Sequence, residues 1–146
     1  MQTLPIDELS KELGNPSIQK ILMFLSIYES LSVSRLMELT ELSESQLHLI
    51  LTRMIKVNLL EKTSRGIYAL SDEKFVAKLK EAYKSIIISN VSTQIDEIQS
   101  LLEENAYEKA LTNFKELARK YEPILQTHFL FKMNALSHDF MDRQKG

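Results

Sequence analysis

At 146 residues with 44% hydrophobic and 26% charged side chains, the chain has the length and balance of one folded domain, or of a small domain with an accessory element. Its lack of cysteine excludes disulfides, thiolate nucleophiles and thiolate metal sites, and its net charge of −2 excludes a general coater of nucleic acid. Residues 1–8 lack a basic start followed by an apolar run, and the apolar runs fall short of the roughly 20 residues a bilayer needs. No signal peptide or membrane span is therefore expected, and the cytoplasm is the default location.

An N-terminal arm is expected over residues 1–15, with a short helix at 5–13 carrying Ile6, Leu9 and Leu13 at helical spacing and ended by Gly14. Asn15-Pro16 then reads as a helix start: asparagine can cap, and proline at the first helical position loses no hydrogen bond. The helix that follows places Ile18, Ile21, Leu22 and Leu25 near one face, with Tyr28 or Glu29 beyond.

Ser32 can cap a short helix over 33–39 with Leu36 and Leu39 inward, and Thr40-Glu41-Leu42 makes a tight turn. Ser43 and Gln46 have the spacing of a capping box, in which two unpaired backbone donors are satisfied reciprocally. The helix this opens is expected over about 44–57, with Leu47, Ile50, Leu51 and Met54 in one apolar stripe. Asn58, which tolerates left-handed backbone, stands where that helix should stop. Residues 59–63 and 67–71 are short apolar-alternating runs around Ser64-Arg65-Gly66, the pattern of a β-hairpin.

Residues 36–48, Leu-Met-Glu-Leu-Thr-Glu-Leu-Ser-Glu-Ser-Gln-Leu-His, resemble the helix-turn-helix of winged-helix transcription regulators of the broad MarR, ArsR and PadR-like group. Residues 53–71 resemble the end of their recognition helix and their wing. The resemblance covers about 55 residues, with two departures: Glu41 stands where the turn often has glycine, and Asn58 where glycine usually precedes the first wing strand. It implies a mainly α fold with a small β-hairpin: a winged helix-turn-helix domain over 16–71, followed by long C-terminal helices over 72–146.

That tail has a helical period throughout. Phe75, Leu79, Tyr83, Ile86, Ile87, Val91, Ile95 and Ile98 trace a stripe along a helix of about 30 residues, to which Ser71 or Asp72 can serve as cap. Such a helix is about 45 Å long, more than one small domain can cover. A second helix is expected at 105–121, and a last one opened by Pro123 and running to about Met141, with Phe129, Met133, Leu136 and Phe140 along it. Similar regulators dimerise through helices flanking the winged domain, so these stripes are expected to build a homodimer; a compact monomeric bundle is the alternative.

Glycine occurs only at positions 14, 66 and 146, so no phosphate-cradling loop is present. His48, His128 and His138 lack a metal-ligand partner at helical spacing, and no constellation suggests an enzyme, a metal or a cofactor. Within 44–70, four cations (Arg53, Lys56, Lys62, Arg65) stand against Glu44 and Glu61, the one net-positive stretch. With the Leu47–Met54 stripe inward, Ser45, Leu49, Thr52 and Lys56 face outward, flanked by Gln46, His48 and Arg53.

If the helix enters a major groove, Gln46 can pair with adenine, Arg53 with guanine or phosphate, Ser45 and Thr52 with either base type, and Leu49 with a thymine methyl. Arg65 at the wing tip, supported by Lys62, can reach backbone or minor groove. The expected activity is therefore sequence-specific binding of double-stranded DNA by a homodimeric regulator, with an effector or protein partner left open. The alternative is a winged-helix protein-interaction module, an accessory subunit of a larger complex, favoured by Glu41, Glu44 and an outward leucine at 49.

Overall fold

The structure, a computed structural model, describes residues 6–145. The start of the N-terminal arm and Gly146 lie outside the described residues. The chain is mainly helical with one small antiparallel sheet, in the order α1 (Ile6–Leu13), α2 (Pro16–Ile27), β1 (Leu31–Ser32), α3 (Val33–Thr40), α4 (Glu44–Lys56), β2 (Leu60–Ser64), β3 (Ile67–Leu70), α5 (Lys74–Glu103), α6 (Tyr107–His128) and α7 (Leu130–Lys145). No described helix is long and apolar enough to cross a membrane. Two compact units divide within α5, Met1–Lys84 and Ser85–Gly146.

In the first unit α2, α3 and α4 start where a side chain can replace a missing carbonyl partner. The Asn15 side-chain oxygen accepts from the backbone N–H groups of Ser17 and Ile18, at 2.9 and 3.2 Å, and Pro16 fills the first helical position. Ser32 caps α3 by accepting from the N–H of Arg35. The core gathers Ile18, Ile21, Leu22, Phe24 and Leu25 of α2, Leu36 and Leu39 of α3, the α4 stripe, and Leu59, Leu60 and Tyr68 of the hairpin. Leu9 of α1 is buried as well, and α1 belongs to this unit. The described part of the expected arm, from Ile6 onward, thus belongs to this unit.

The sheet has three strands in the order β1-β3-β2, so the expected hairpin gains a partner. Leu31 pairs with Tyr68 and Ser32 with Ile67, while Leu60 faces Leu70 across the hairpin and an irregularity falls between Lys62 and Ser64. A strand of two residues carries no detectable alternation, which is why the sequence reads there only as a cap. The Ser71 hydroxyl donates to the carbonyl of Asn58, closing the base of the hairpin. Helix α5 starts at Lys74, so neither Ser71 nor Asp72 directly precedes it as the expected cap.

The second unit holds the rest of α5, then α6 and α7. Helix α6 runs past the expected end at 121 and on through Pro123, but Tyr121 is non-helical (φ −121°, ψ 24°). A proline displaces the helix backbone one turn earlier, so the break belongs to Pro123. The expected single last helix is itself interrupted at Phe129, after which α7 begins.

The tail stripe is largely covered by its own chain. Ile87, Val91, Ile95 and Ile98 are buried, as are Phe129, Leu136 and Phe140. The Phe140 ring meets those of Phe114 and Tyr107 at centroid separations of 5.0 and 5.7 Å. Phe75, Leu79, Tyr83 and Met133 are half-buried, and of the residues assigned to a dimer contact Ile86 alone is exposed. A side chain already removed from water gains nothing by meeting a second chain, so the seven buried residues cannot be an open dimer face. Burial also pushes the Tyr83 hydroxyl above its ordinary range.

Candidate nucleic-acid interface

The turn between α3 and α4 is built by side chains folded onto local backbone. The Thr40 hydroxyl donates to the Leu36 carbonyl at 2.6 Å and accepts from the N–H of Leu42 at 3.4 Å. Glu41 turns the chain with φ 62°, and its N–H donates to the Met37 carbonyl. Ser43 and Gln46 form the expected capping box: the Ser43 hydroxyl oxygen accepts from the Gln46 N–H, and the Ser43 N–H donates to Gln46 Oε1, each at 3.2 Å.

Helix α4 is anchored by the stripe read from its sequence. Leu47 and Met54 are 0% exposed, Leu51 1% and Ile50 8%. Ser45, Gln46, His48, Leu49, Thr52 and Lys56 lie exposed on the other side, and Leu49 keeps 64% of its surface in water. Helix α4 ends where Asn58 takes φ 61°, as its left-handed tolerance suggests. Arg65-Gly66 then forms the hairpin turn, with Gly66 at φ 73°, a conformation that disfavours side chains. Lys62 and Arg65 are both exposed, and the Gly66 carbonyl accepts from the Val33 N–H at 3.1 Å, tying the turn to the start of α3.

Two of the expected contacts are altered by local hydrogen bonds, and His48 stands near a carboxylate. Gln46 Oε1 is engaged in the capping box, so the two-point adenine contact assigned to that amide competes with the start of its own helix. The Thr52 hydroxyl donates to the His48 carbonyl at 2.9 Å, which leaves its oxygen as an acceptor suited to base amino groups. His48 Nε2 lies 3.6 Å from Glu44 Oε1, one turn back.

Arg53, expected to flank the outward face, carries a contact that the sequence did not announce: its Nη2 lies 2.8 Å from Glu12 Oε2 on α1. The Glu12 side chain is 10% exposed and that of Arg53 36%. Glu12 Oε2 nevertheless has no aligned hydrogen-bond donor among the described residues, so the contact is one of charge more than of directed bonding. Sequence reading missed Glu12 because the pairing joins α1 to α4, and neither segment's periodicity reports on the other.

Among the described residues no group of three or more His, Asp or Glu side chains is placed to hold a metal ion. No known family model, curated protein or solved structure matches the chain. What can be said of its activity therefore rests on the geometry of α4 and the hairpin.

Proposed function

We propose that the first unit is a winged helix-turn-helix domain that binds double-stranded DNA as a transcription regulator, with α4 in the major groove and the β2–β3 hairpin as the wing. One observation carries the reading: the apolar stripe of α4 is buried while Ser45, His48, Leu49, Thr52 and Lys56 stand in water on one continuous face. The order of helices α2, α3 and α4 followed by a hairpin supports the fold, and exposed Lys62 and Arg65 supply the cations that phosphate requires.

A two-fold pair of such domains belongs to the same proposal, since paired recognition helices read half-sites one DNA turn apart. Its contact surface excludes the residues buried in the tail. Solution mass tests it: twice the chain mass of 16.9 kDa is expected, and a monomer at the concentration of DNA binding removes the dimer from the proposal.

Binding to a mixed-sequence duplex, followed by fluorescence anisotropy across a salt series, tests the activity. Each neutralised phosphate steepens the slope of log K against log salt by about 0.9. Replacing both Lys56 and Arg65 by alanine is expected to flatten it by nearly twice that amount. No binding at low salt, by this chain or by its Glu12→Gln variant, would overturn the reading. The runner-up, a protein-interaction module, rests on Leu49: an exposed leucine between the exposed carboxylates of Glu41 and Glu44 and the end of the helix suits an apolar partner.

A further inference from the structure

The Glu12–Arg53 pair bears on how the proposed DNA site is controlled. Arg53 sits in the last turn of α4, the helix assigned to the major groove, and its guanidinium offers five N–H donors in a fork that matches a phosphate or a guanine edge. In the free protein that fork is held by a carboxylate from outside the helix-turn-helix, with Nη2 and Oε2 2.8 Å apart.

Helix α1 is not a loose carrier for this carboxylate. Leu9 is buried on the same short helix, and the Gln19 side-chain amide donates to the Leu13 carbonyl at 2.8 Å, fastening its end to α2. With the Glu12 side chain only 10% exposed, solvent screens the pair less than it would an open surface pair. Yet Oε2 lacks an aligned donor among the described residues, so the pair neutralises charge without a directed hydrogen bond at that oxygen. A phosphate can offer the aligned, two-point contact that Glu12 does not.

We propose that Glu12 is a tethered anion that occupies Arg53 in the free protein and competes with DNA for it, so that α1 restrains the affinity of the α4 face. This rests on the DNA-binding reading. Engagement of DNA then requires Arg53 to exchange one anion for another, which cancels much of the gain from that contact and its share of counterion release. Any event that lifts α1 off the domain adds one cation to the binding face.

The test is duplex affinity across a salt series for the full-length protein, Glu12→Gln, Arg53→Ala and the double variant. Glu12→Gln is expected to bind about tenfold tighter at low salt, with a slope steeper by about 0.9, the signature of one more phosphate neutralised. In the Arg53→Ala background the same change should have no effect, since its only route is through the arginine. Equal or weaker binding by a folded Glu12→Gln protein overturns the restraint and leaves the DNA reading intact. Binding by Glu12→Gln alone supports both, and binding by neither protein overturns both.

Should Glu12→Gln fail to fold, the Glu12 carboxyl carbon resonance of the unaltered protein decides the matter. It should move as duplex saturates the protein. An unmoved resonance with duplex bound rejects the exchange.

Discussion

Glu41 allows a quantitative test of how this chain turns from α3 into α4. Its φ of 62° is left-handed, a region that costs a residue bearing a Cβ roughly 1–2 kcal/mol. Glycine at 41 removes that cost but adds freedom to the unfolded chain, worth about 0.5–1 kcal/mol in the opposite sense. The net expectation for Glu41→Gly is a gain of about 0.5–1 kcal/mol. At about 4–8 °C per kcal/mol for a domain of this size, the melting temperature should rise by about 2–8 °C.

Controls separate backbone from charge. Glu41→Gln keeps the backbone cost and should leave stability nearly unchanged, while Glu41→Val, β-branched, should lose about 1 kcal/mol or more. Urea unfolding followed through the amide signals of residues 16–71 reads the series, with the midpoint moving and the slope constant. A glycine variant no more stable than the parent, or a valine variant equal to it, would show that the surroundings of the turn, and not its φ, set the energy.

Leu47→Ala, at a site 0% exposed, should cost about 2–5 kcal/mol, whereas Leu49→Ala, at 64% exposure, should change stability by less than about 0.5 kcal/mol yet weaken duplex binding; calorimetry and anisotropy on both proteins check the contrast. The Tyr107 hydroxyl is buried without a hydrogen-bond partner among the described residues, so Tyr107→Phe should be neutral or stabilising by up to about 1 kcal/mol; a clear loss in a thermal melt would contradict this.

Glu116 receives the Arg119 guanidinium at 2.7 and 3.2 Å and Lys120 Nζ at 3.1 Å. The hydrogen bond from Arg119, then that from Lys120, lowers its carboxyl from 4.5 to about 2. A lowered carboxyl contributes stability above its ordinary value of 4.5, and that contribution disappears as pH falls through about 2. The side chain is half exposed, so screening holds the effect to about 0.5 kcal/mol or less. The parent should exceed Glu116→Gln slightly near neutral pH and converge with it near pH 2; a difference that widens in acid would contradict the assignment.

Much of the candidate site was legible in the residues themselves, because its determinants are local. The Ser43–Gln46 box, the Asn15-Pro16 start, the Asn58 stop and the Arg65-Gly66 turn each depend on backbone groups a few residues away. A stripe such as Leu47, Ile50, Leu51 and Met54 states which side of a helix avoids water whatever the covering element is.

Tertiary structure alone decided what does the covering. The tail stripe specified that Val91, Ile95 and Ile98 must be buried, but an apolar face is equally satisfied by the same chain or by a second one, and only the folded chain shows that the cover is internal. Strand β1 exists because β3 offers it an edge, and Arg53 points to Glu12 because α1 carries that carboxylate to α4. Hydrophobic burial has no direction and charge attraction no sequence range, so helical periodicity can name the groups that need partners while the choice of partner waits on the packed chain.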